Sequence, residues 1–254
     1  MKKYTVITGA SAGIGYATAK KFAAEGKNII ALARRTDRLE ALKNEIQEEY
    51  PNVDVIIRSI DLSKMQEIEA LFEELSAYSL ETWINNAGFG LFSTVKDQEP
   101  KRVMQMIDLN VKAVLLSSTL FVKKYQDTPG AQLINVSSGA GYNLYPNCVT
   151  YTGTKFFVSA FTENLAHELR DAGAPMQVKL VVPEATETEF INVAGDTAEP
   201  VDYAKLFPKF TTKEEMAAYI WQLYQSSYIV GQVDDVTYGF HMHNGKYPYK
   251  GGNV

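Results

Sequence analysis

Short apolar runs alternate with longer amphipathic segments along almost the whole chain of 254 residues. The apolar runs have the length and residue types of buried strands, and the segments between them have the periodicity of helices. The predicted strands are Tyr4–Thr8, Asn28–Ala33, Val53–Ser59, Thr82–Asn85, Gln132–Ser137, Gln177–Val182 and Tyr228–Val236. The predicted helices cover residues 13–26, 38–49, 64–77, 97–125, 151–172 and 213–226. This alternation predicts βαβ units, and therefore an α/β fold with a parallel sheet and helices on both faces.

Two helix starts carry a chemical signal, and one segment carries none. Asp37, with Glu40 three residues later, and Ser63 are predicted to be N-caps. The segment of about residues 187–212 mixes apolar and polar positions and contains Pro200 and Pro208. Long excursions of this kind often cover a functional site, so we expect a substrate-covering loop or short helices there.

Composition narrows the classes of protein that fit. With 46% hydrophobic residues, the chain can bury one large core, and we expect residues 1–254 to form a single domain. The net charge of −5 and the lack of a basic run argue against a nucleic-acid partner. The longest apolar run, Val114–Val122, is interrupted by hydroxyl residues and is shorter than the ~20 residues of a span. No signal-peptide core is recognised, and the single cysteine, Cys148, fits a reducing compartment, so a cytoplasmic protein is expected.

A glycine-rich turn follows the first predicted strand and opens the first predicted helix. It reads Thr8-Gly9-Ala10-Ser11-Ala12-Gly13-Ile14-Gly15, which is the context that a nucleotide-binding turn requires. Gly9 permits the tight turn, Gly13 lets the backbone approach a pyrophosphate, and Gly15 allows close packing of helix and strand. The helix N-terminus adds unpaired N–H groups and a partial positive charge. A merely flexible loop is the alternative interpretation.

Three groups that move or steer a proton are predicted to converge near the middle of the chain. Tyr151 and Lys155 are four residues apart, and Ser138 lies thirteen residues before Tyr151. Positions i and i+4 share one face of a helix, so the phenol and the ammonium group are predicted to lie side by side. A cation within ~4–6 Å lowers the pKa of a phenol from ~10, which suits Tyr151 to general acid and base catalysis. With fifteen tyrosines, the pair is expected about once by composition, so by itself it is weak evidence.

The glycine spacing, together with Asn85-Asn86-Ala87-Gly88, Asn110, Ser138 and Tyr151-x-x-x-Lys155, resembles the short-chain dehydrogenase/reductase family, in its single-domain branch of ~250 residues. The resemblance extends to about residue 190. It implies a doubly wound (Rossmann) parallel sheet of seven strands, and hydride exchange between a nicotinamide cofactor and a carbonyl or alcohol. It also implies a homodimer or homotetramer that pairs through the helices after the fourth and fifth strands.

The end of the second strand indicates which nicotinamide cofactor is used. An NAD site usually places an acid there, about 20 residues beyond the glycines, but Ala33 occupies that position. Arg34 and Arg35 follow, and their guanidinium groups suit a 2′-phosphate, so we expect NADP(H). Alternatively, the two arginines are only solvated, and Asp37 is the acid rather than a helix cap. The resemblance assigns the cofactor to Gly9, Ser11, Gly13, Ile14, Gly15, Arg34, Arg35, Asp61, Leu62, Asn86, Ala87, Gly88, Tyr151, Lys155, Pro183, Glu184, Thr186 and Thr188.

By the same resemblance, four residues carry the chemistry. Tyr151 protonates the carbonyl oxygen, Ser138 donates a hydrogen bond to that oxygen, and Lys155 holds the nicotinamide ribose while lowering the pKa of Tyr151. Asn110 distorts its helix and holds a water that links the lysine to solvent. The alternatives are that Ser138 belongs to an ordinary turn that ends a strand, and that Asn110 is an ordinary polar residue within a helix.

One position departs from the family pattern. Pro183 is followed by Glu184, where the family usually has glycine, while Thr188 fits the threonine that contacts the cofactor. A side chain there restricts the backbone angles and the approach of the cofactor. Glu184 either reshapes the substrate pocket, which we favour because every catalytic residue is present, or damages cofactor binding.

The substrate pocket is expected to be apolar and aromatic. The segments that form it in the family contain Phe89, Leu91, Tyr142, Leu144, Tyr145, Phe190, Leu206 and Phe207. No arginine or lysine lies between Ser138 and Gly153 or between Pro183 and Tyr203, which favours neutral ketones or aldehydes. His241 and His243 lack further ligands at metal-site spacing, so no metal is expected. A non-catalytic NADP(H)-binding sensor and a sugar-nucleotide epimerase are the alternative functions.

Overall fold

A computed structural model describes residues 2–195 and 201–251 of the chain. The strands are β1 Lys3–Thr8, β2 Asn28–Ala33, β3 Val55–Ser59, β4 Ser79–Asn85, β5 Gln132–Val136, β6 Gln177–Val182, β7 Thr186–Glu187, β8 Thr211–Thr212, β9 Val230–Val233 and β10 Phe240–His243. The α-helices are α1 Gly13–Ala24, α2 Thr36–Glu49, α3 Met65–Glu74, α4 Pro100–Ile107, α5 Val114–Tyr125, α6 Val149–Asp171, α7 Phe190–Gly195, α8 Tyr203–Leu206 and α9 Lys213–Gln225. A π-helical segment, Asp108–Ala113, joins α4 to α5.

The main sheet has eight strands in the order β10-β9-β6-β5-β4-β1-β2-β3. Its first seven strands in chain order pair in parallel, which confirms the predicted doubly wound α/β fold. The eighth strand, β10, pairs antiparallel with β9 through Phe240↔Val233 and was not predicted. The chain turns back on itself to place this strand at the sheet edge. The order reverses between β1 and β4, and ligands of such sheets bind at the carboxyl ends of the strands beside that point.

The two faces of the sheet bury separate apolar clusters. Alternate side chains of one strand point to opposite faces, so Val6 packs with Trp83 and Phe121 on one side, while Ile7 packs with Phe22 on the other. The helices α3, α5 and α6 cover the first face. The helices α1, α2 and α9 cover the second. This double burial explains why the strands read as continuous apolar runs rather than alternating ones.

Both predicted N-caps are wrong. The helix α2 has Arg35 at its N-cap position, so Asp37 lies inside the first turn, where its negative charge still suits the helix dipole. The helix α3 has Lys64 at the N-cap position, because the Ser63 hydroxyl donates instead to Asp61 at 2.8 Å. The cap that does form was not predicted: Thr212 and Glu215 make a reciprocal capping box at the start of α9.

The predicted helix of residues 97–125 is observed as one helical run, Pro100–Tyr125, that includes the π segment. By length and composition alone this run is apolar enough to cross a membrane, which differs from the expectation drawn from its short uninterrupted core. In the fold, Phe121 and Tyr125 pack into the core against the sheet. A helix that covers the core of a globular domain can be equally long and apolar.

The segment expected to cover a site contains ordered pieces. The small sheet of β7 and β8 joins its two ends through Thr186↔Thr211 and Glu187↔Thr212. Between them lie α7 and α8, while Pro200 lies outside the described residues. The pairing of β7 with β8 therefore brings residues 186–195 and 203–212 together beside the carboxyl end of β6.

Candidate active site

The glycine-rich turn between β1 and α1 has the backbone that its sequence predicts. Gly9 and Gly13 adopt φ angles of +69° and +55°, which side chains other than glycine rarely tolerate. A Cβ atom on Gly9 would lie 2.9 Å from the Cα atom of Ala87, and one on Gly13 would lie 3.1 Å from Thr188 Cγ2. The N-cap residue of α1, Ala12, provides no side-chain cap, so the first N–H groups of the helix are open to an anion.

Thr8 fastens this turn to the neighbouring one, a role that the sequence analysis missed. Its Oγ1 atom accepts hydrogen bonds from the backbone N–H groups of Asn86 and Ala87, both at 2.9 Å. The Asn86 side chain donates back to the Thr8 carbonyl oxygen at 2.9 Å. The position of a hydroxyl residue immediately before Gly9 was the sequence feature that could have indicated this role. The Asn86-Ala87-Gly88 turn is thereby held as one wall of the groove above the glycines.

Arg35 reaches across this groove. Its Nε atom donates to Ser11 Oγ at 3.3 Å, and its guanidinium group forms an ion pair with Glu189 at 2.9 Å. Both charged side chains of this pair are about half exposed, and exposed pairs contribute little to stability. The carboxylate that pairs with Arg35 is therefore that of Glu189, in the segment after β6. Asp37, the alternative acid, lies in the first turn of α2.

The residues after β2 and β3 that the resemblance assigns to the cofactor are held differently from one another. Asp61, after β3, accepts hydrogen bonds from the backbone N–H and the hydroxyl of Ser63, at 3.1 and 2.8 Å. The Leu62 side chain is buried in the core. The Arg34 backbone carbonyl oxygen accepts a hydrogen bond from the Ser59 hydroxyl. The pKa of Asp61 is lowered: burial, the largest influence, raises it, but the hydrogen bonds from Ser63 and the Arg34 guanidinium group together lower it further.

Asn110 lies in the π-helical segment, as the resemblance implied for a helix-distorting asparagine. Its side chain is buried and pairs with both backbone groups of Phe89, donating to the carbonyl at 2.8 Å and accepting from the N–H at 3.1 Å. It also donates to Thr154 Oγ1 at 3.2 Å, on the helix that carries the proposed catalytic pair. A Cβ atom on Gly88 would lie 3.0 Å from Asn110 Oδ1. Asn110 therefore ties the turn after β4 to α6.

Ser138, Tyr151 and Lys155 meet at the carboxyl end of β5. Ser138 follows that strand and caps a short 3-10 turn, accepting from the Ala140 N–H at 3.2 Å. Tyr151 and Lys155 lie on one face of α6, with the ammonium nitrogen 5.8 Å from the ring centroid of Tyr151. Both side chains are buried. Lys155 uses one of its donors on the Val136 carbonyl oxygen at 3.0 Å, which leaves donors for ribose hydroxyls.

The electrostatics of this group differ in part from the expectation. Burial raises the pKa of the Tyr151 phenol, and the hydrogen bond with Ser138 only partly opposes this. Lys155 does not lower that pKa here. Burial also lowers the pKa of the Lys155 ammonium group, to about 8. The phenol is therefore held in its protonated form, which is the form that a general acid needs.

The segment after β6 faces this group. The Pro183 carbonyl oxygen accepts from the Gly139 N–H at 2.7 Å, which joins the segment to the turn after Ser138. Thr186 is buried and shares a hydrogen bond with Thr211. The Thr188 hydroxyl donates to the Thr186 carbonyl oxygen and accepts from the Phe190 N–H at 3.2 Å. Thr188 thereby closes over Gly13 from the opposite side of the groove.

Glu184 turns its carboxyl group toward the turn that contains Ser138. All three atoms of that group lie within 2.6 Å of the point where a Cβ atom on Gly139 would be. Burial raises the pKa of Glu184 to about 7, with a further contribution from Asp235. Its negative form also helps to raise the pKa of the Tyr151 phenol, after the larger influences of burial and of Cys148.

Aromatic side chains form the rest of the wall. The Tyr151 ring lies 5.5 Å from that of Phe190 and 6.3 Å from that of Phe92, measured between centroids. Leu91 is buried beside them, as the sequence predicted, whereas Leu144 is 83% exposed and lies outside this cluster. Phe207 packs against Tyr203 rather than against Tyr151.

The chain beyond β10 also contributes, which the sequence analysis did not predict. Glu163, buried on α6, accepts from the backbone N–H groups of Lys246 and Tyr247 at 2.8 and 3.0 Å and from the Tyr142 hydroxyl. Tyr247 donates to the Gly141 carbonyl oxygen at 2.9 Å. This brings the Lys246 ammonium group to 4.5 Å from the centre of the Tyr142 ring. His241 and His243 lie on β10, opposite Gln232 and Val230 of β9. The described residues hold no group of three or more potential metal ligands.

The groove and its donors fit a nicotinamide dinucleotide. Open helix N–H groups lie at one end, and a serine, a phenol and an ammonium group lie at the other. The model of the short-chain dehydrogenase family matches residues 3–198. An uncharacterized oxidoreductase of Staphylococcus saprophyticus is 33% identical over 209 residues, which cover 81% of this chain and 82% of the relative. Sulfoacetaldehyde reductase of Chromohalobacter salexigens is 34% identical and covers 76% of each chain.

Solved structures agree with these sequence matches. The short-chain dehydrogenase from Sphingobium yanoikuyae in complex with NADPH superposes with a TM-score of 0.81 at 26% identity, covering 91% of this chain and 87% of the other. A family model that spans most of the chain, a relative above 30% identity and a shared fold all point the same way. The chain belongs to the short-chain dehydrogenase/reductase family of oxidoreductases.

Proposed function

We propose that this oxidoreductase transfers hydride between NADP(H) and a carbonyl or alcohol substrate, as a carbonyl reductase or alcohol dehydrogenase. The observation that carries the proposal is the convergence of Ser138, Tyr151 and Lys155 at the carboxyl end of β5, across the groove from the glycine-rich turn. We propose that the cytoplasm is where the reaction occurs and that residues 1–254 act as one domain.

NADP(H) is proposed because the cofactor groove ends at two arginines. Arg34 and Arg35 follow β2, and both side chains are exposed at the groove edge. A guanidinium group binds a phosphate with paired, charge-assisted hydrogen bonds. The Sphingobium relative, which has the same fold, was solved with NADPH. The pyrophosphate is assigned to the start of α1, and the nicotinamide ribose to Lys155.

The proposed roles of the chain's own residues follow from their contacts. The bound cofactor supplies the hydride. Ser138 donates to the carbonyl oxygen, and Tyr151, whose raised pKa keeps it protonated at neutral pH, gives that oxygen its proton. Asn110 holds the Phe89 backbone and Thr154 in place, and so positions α6 against the turn after β4. Phe92 and Phe190 exclude water from the Tyr151 phenol.

Neutral ketones or aldehydes are the proposed substrates. The Tyr151 ring packs against aromatic rings, and the Glu184 carboxylate acts on its phenol; a carboxylate repels an anionic substrate. Sulfoacetaldehyde, which names one relative, is an anion. Because Lys246 lies over Tyr142, a cation is closer to the pocket than the sequence predicted. Sulfoacetaldehyde is therefore the anionic substrate that tests the preference for neutral ones.

The test follows NADPH and NADH oxidation with a panel of ketones, aldehydes and sulfoacetaldehyde. We expect oxidation with NADPH and neutral carbonyls, and a loss of roughly 10²–10⁴-fold in Tyr151→Phe with NADPH affinity unchanged. Tyr219→Phe is the matched control, because the ring of Tyr219 stacks on Phe240 over the other apolar cluster. NADPH binding without any carbonyl-dependent oxidation would favour the second candidate, a non-catalytic sensor, to which the unusual Glu184 lends support.

A homodimer or homotetramer is part of the same proposal. The outer surface of α5 exposes Leu115, and α6 carries the stacked rings of Phe157 and Phe161 at 5.6 Å. Apolar groups of this kind on neighbouring helices suit a contact between copies. Light scattering coupled to gel filtration measures the mass directly, and a monomer for wild type at assay concentration would contradict this part.

A further inference from the structure

Glu184 provides an acceptor that the proposed reaction does not use. Its Oε1 atom is buried and has no hydrogen-bond partner among the residues that the structure describes. Within the described part of the chain, its Oε2 atom accepts only from the Tyr145 hydroxyl, at the long distance of 3.5 Å. An ionised carboxylate offers about four acceptor positions, and a buried acceptor left without a donor carries a desolvation cost. A donor from outside the chain would remove this cost.

The carboxyl group is held against the reacting centre. It occupies the space that a side chain at Gly139 would fill, directly after Ser138, and its charge acts on Tyr151. The Glu184 backbone is also fixed, because its carbonyl oxygen accepts from the Thr186 hydroxyl at 3.0 Å. A group attached a few atoms from a carbonyl at Ser138 and Tyr151 therefore meets Glu184.

The surroundings favour an uncharged donor. The ionisable groups that act on Glu184 come from the loop after β9, the chain after β10, and the loop after Ser138; they are Asp234, Asp235, Lys246 and Tyr145. Asp234 is occupied by the backbone N–H groups of Val236 and Thr237. Asp235 and Asp234 act on this carboxyl group more strongly than Lys246 does, but burial has the largest effect. A cationic donor would lose more hydration energy in this buried place than a neutral one. A hydroxyl group carries no such penalty.

We propose that Glu184 determines substrate specificity by accepting a hydrogen bond from a hydroxyl group that the carbonyl substrate carries close to its reacting carbon. The preferred substrates are then hydroxy ketones and hydroxy aldehydes. The inference rests on the proposed function and narrows its substrate class.

The experiment compares NADPH-dependent reduction of hydroxyacetone with that of butanone, which has a methyl group in place of the hydroxyl. Aminoacetone tests the cationic alternative. Wild type is expected to favour hydroxyacetone in kcat/KM by about tenfold or more, which corresponds to ~1.4 kcal/mol, and Glu184→Gly is expected to lose this preference. Glu187→Gln, on the exposed side of β7, is the matched control that keeps it.

The pH dependence gives a second readout. The pKa of Glu184 is about 7, and the ionised form is the stronger acceptor, so the preference for hydroxyacetone is expected to rise as pH increases through about 7. In Glu184→Gln the preference is expected to be smaller and independent of pH. Fluorescence titration with NADPH checks that this variant still binds the cofactor.

The outcomes separate the two proposals. Equal kcat/KM for hydroxyacetone and butanone in wild type, with activity that depends on Tyr151, overturns the inference and leaves the proposed function standing. A preference for aminoacetone over both also overturns it. Failure to reduce any of the three substrates, or any carbonyl of the wider panel, removes the proposed function and the inference together.

Discussion

An alanine at position 139 would collide with the Glu184 carboxyl group. The three carboxyl atoms lie within 2.6 Å of the added Cβ atom, where ordinary contacts begin at 3.4 Å, so the Glu184 side chain must leave its place. Because the carboxyl group is the far end of a flexible side chain, the cost is expected at the low end of the range for overpacking, about 1 kcal/mol. For a chain of this size, a cost of about 1 kcal/mol lowers Tm by roughly 2–4 °C.

The assay is a double-mutant cycle read by thermal unfolding. Gly139→Ala, Glu184→Gly and the double variant are compared with wild type, and the coupling energy is expected to be about 1 kcal/mol. In the double variant, Gly139→Ala should cost little, because no carboxyl group remains in its way. Gly153→Ala is the matched control: its Cβ atom meets nothing within 4 Å and its helical position gains up to about 1 kcal/mol. If Gly139→Ala lowers Tm equally with and without Glu184, the packing argument is refuted.

Three further changes test other parts of the site. Glu189→Gln is expected to strengthen NADPH binding several-fold by freeing Arg35, while NADH binding stays constant; an equal effect on both cofactors in fluorescence titrations would contradict this. Asn110→Ala is expected to lower the free energy of unfolding in urea by about 2–4 kcal/mol, because both backbone groups of Phe89 lose their partner; a loss below about 1 kcal/mol would argue against that role. The pKa of Lys155 is about 8 when folded and ~10.4 when unfolded, so the unfolded chain binds more protons between these values and stability should rise with pH there. Lys155→Met should lack this rise in cofactor-free protein, and identical pH profiles would count against it.

The features that the sequence predicted well are those set by neighbouring residues. The face shared by Tyr151 and Lys155 follows from helical spacing, and the turn at Gly9 follows from its place between a strand and a helix. Where two local patterns compete, prediction failed: Ser63 suits an N-cap, but the nearer Asp61 takes its hydroxyl. Nothing local at Asp37 marked the earlier start of its helix.

Features set by distant residues were beyond the sequence pattern. The pKa of Tyr151 is raised because the fold buries the phenol, which the spacing to Lys155 does not reveal. The capture of Lys246 and Tyr247 by Glu163 joins residues more than eighty positions apart, and no periodicity encodes it. The packing of Glu184 on Gly139 is of the same kind: the sequence marks Glu184 as a departure from the family pattern, but it does not show which residue its carboxyl group packs against.

The contact between Glu184 and Gly139 also makes the effect of a substitution at one position depend on the other. A side chain at position 139 displaces the Glu184 carboxyl group, whereas glycine there accepts it. Glycine at position 139 is therefore the background that favours this placement of the glutamate, and with the glutamate present a larger residue at 139 moves its carboxyl group away from the turn. A search for altered substrate range should vary the two positions as a pair, because single substitutions miss this dependence.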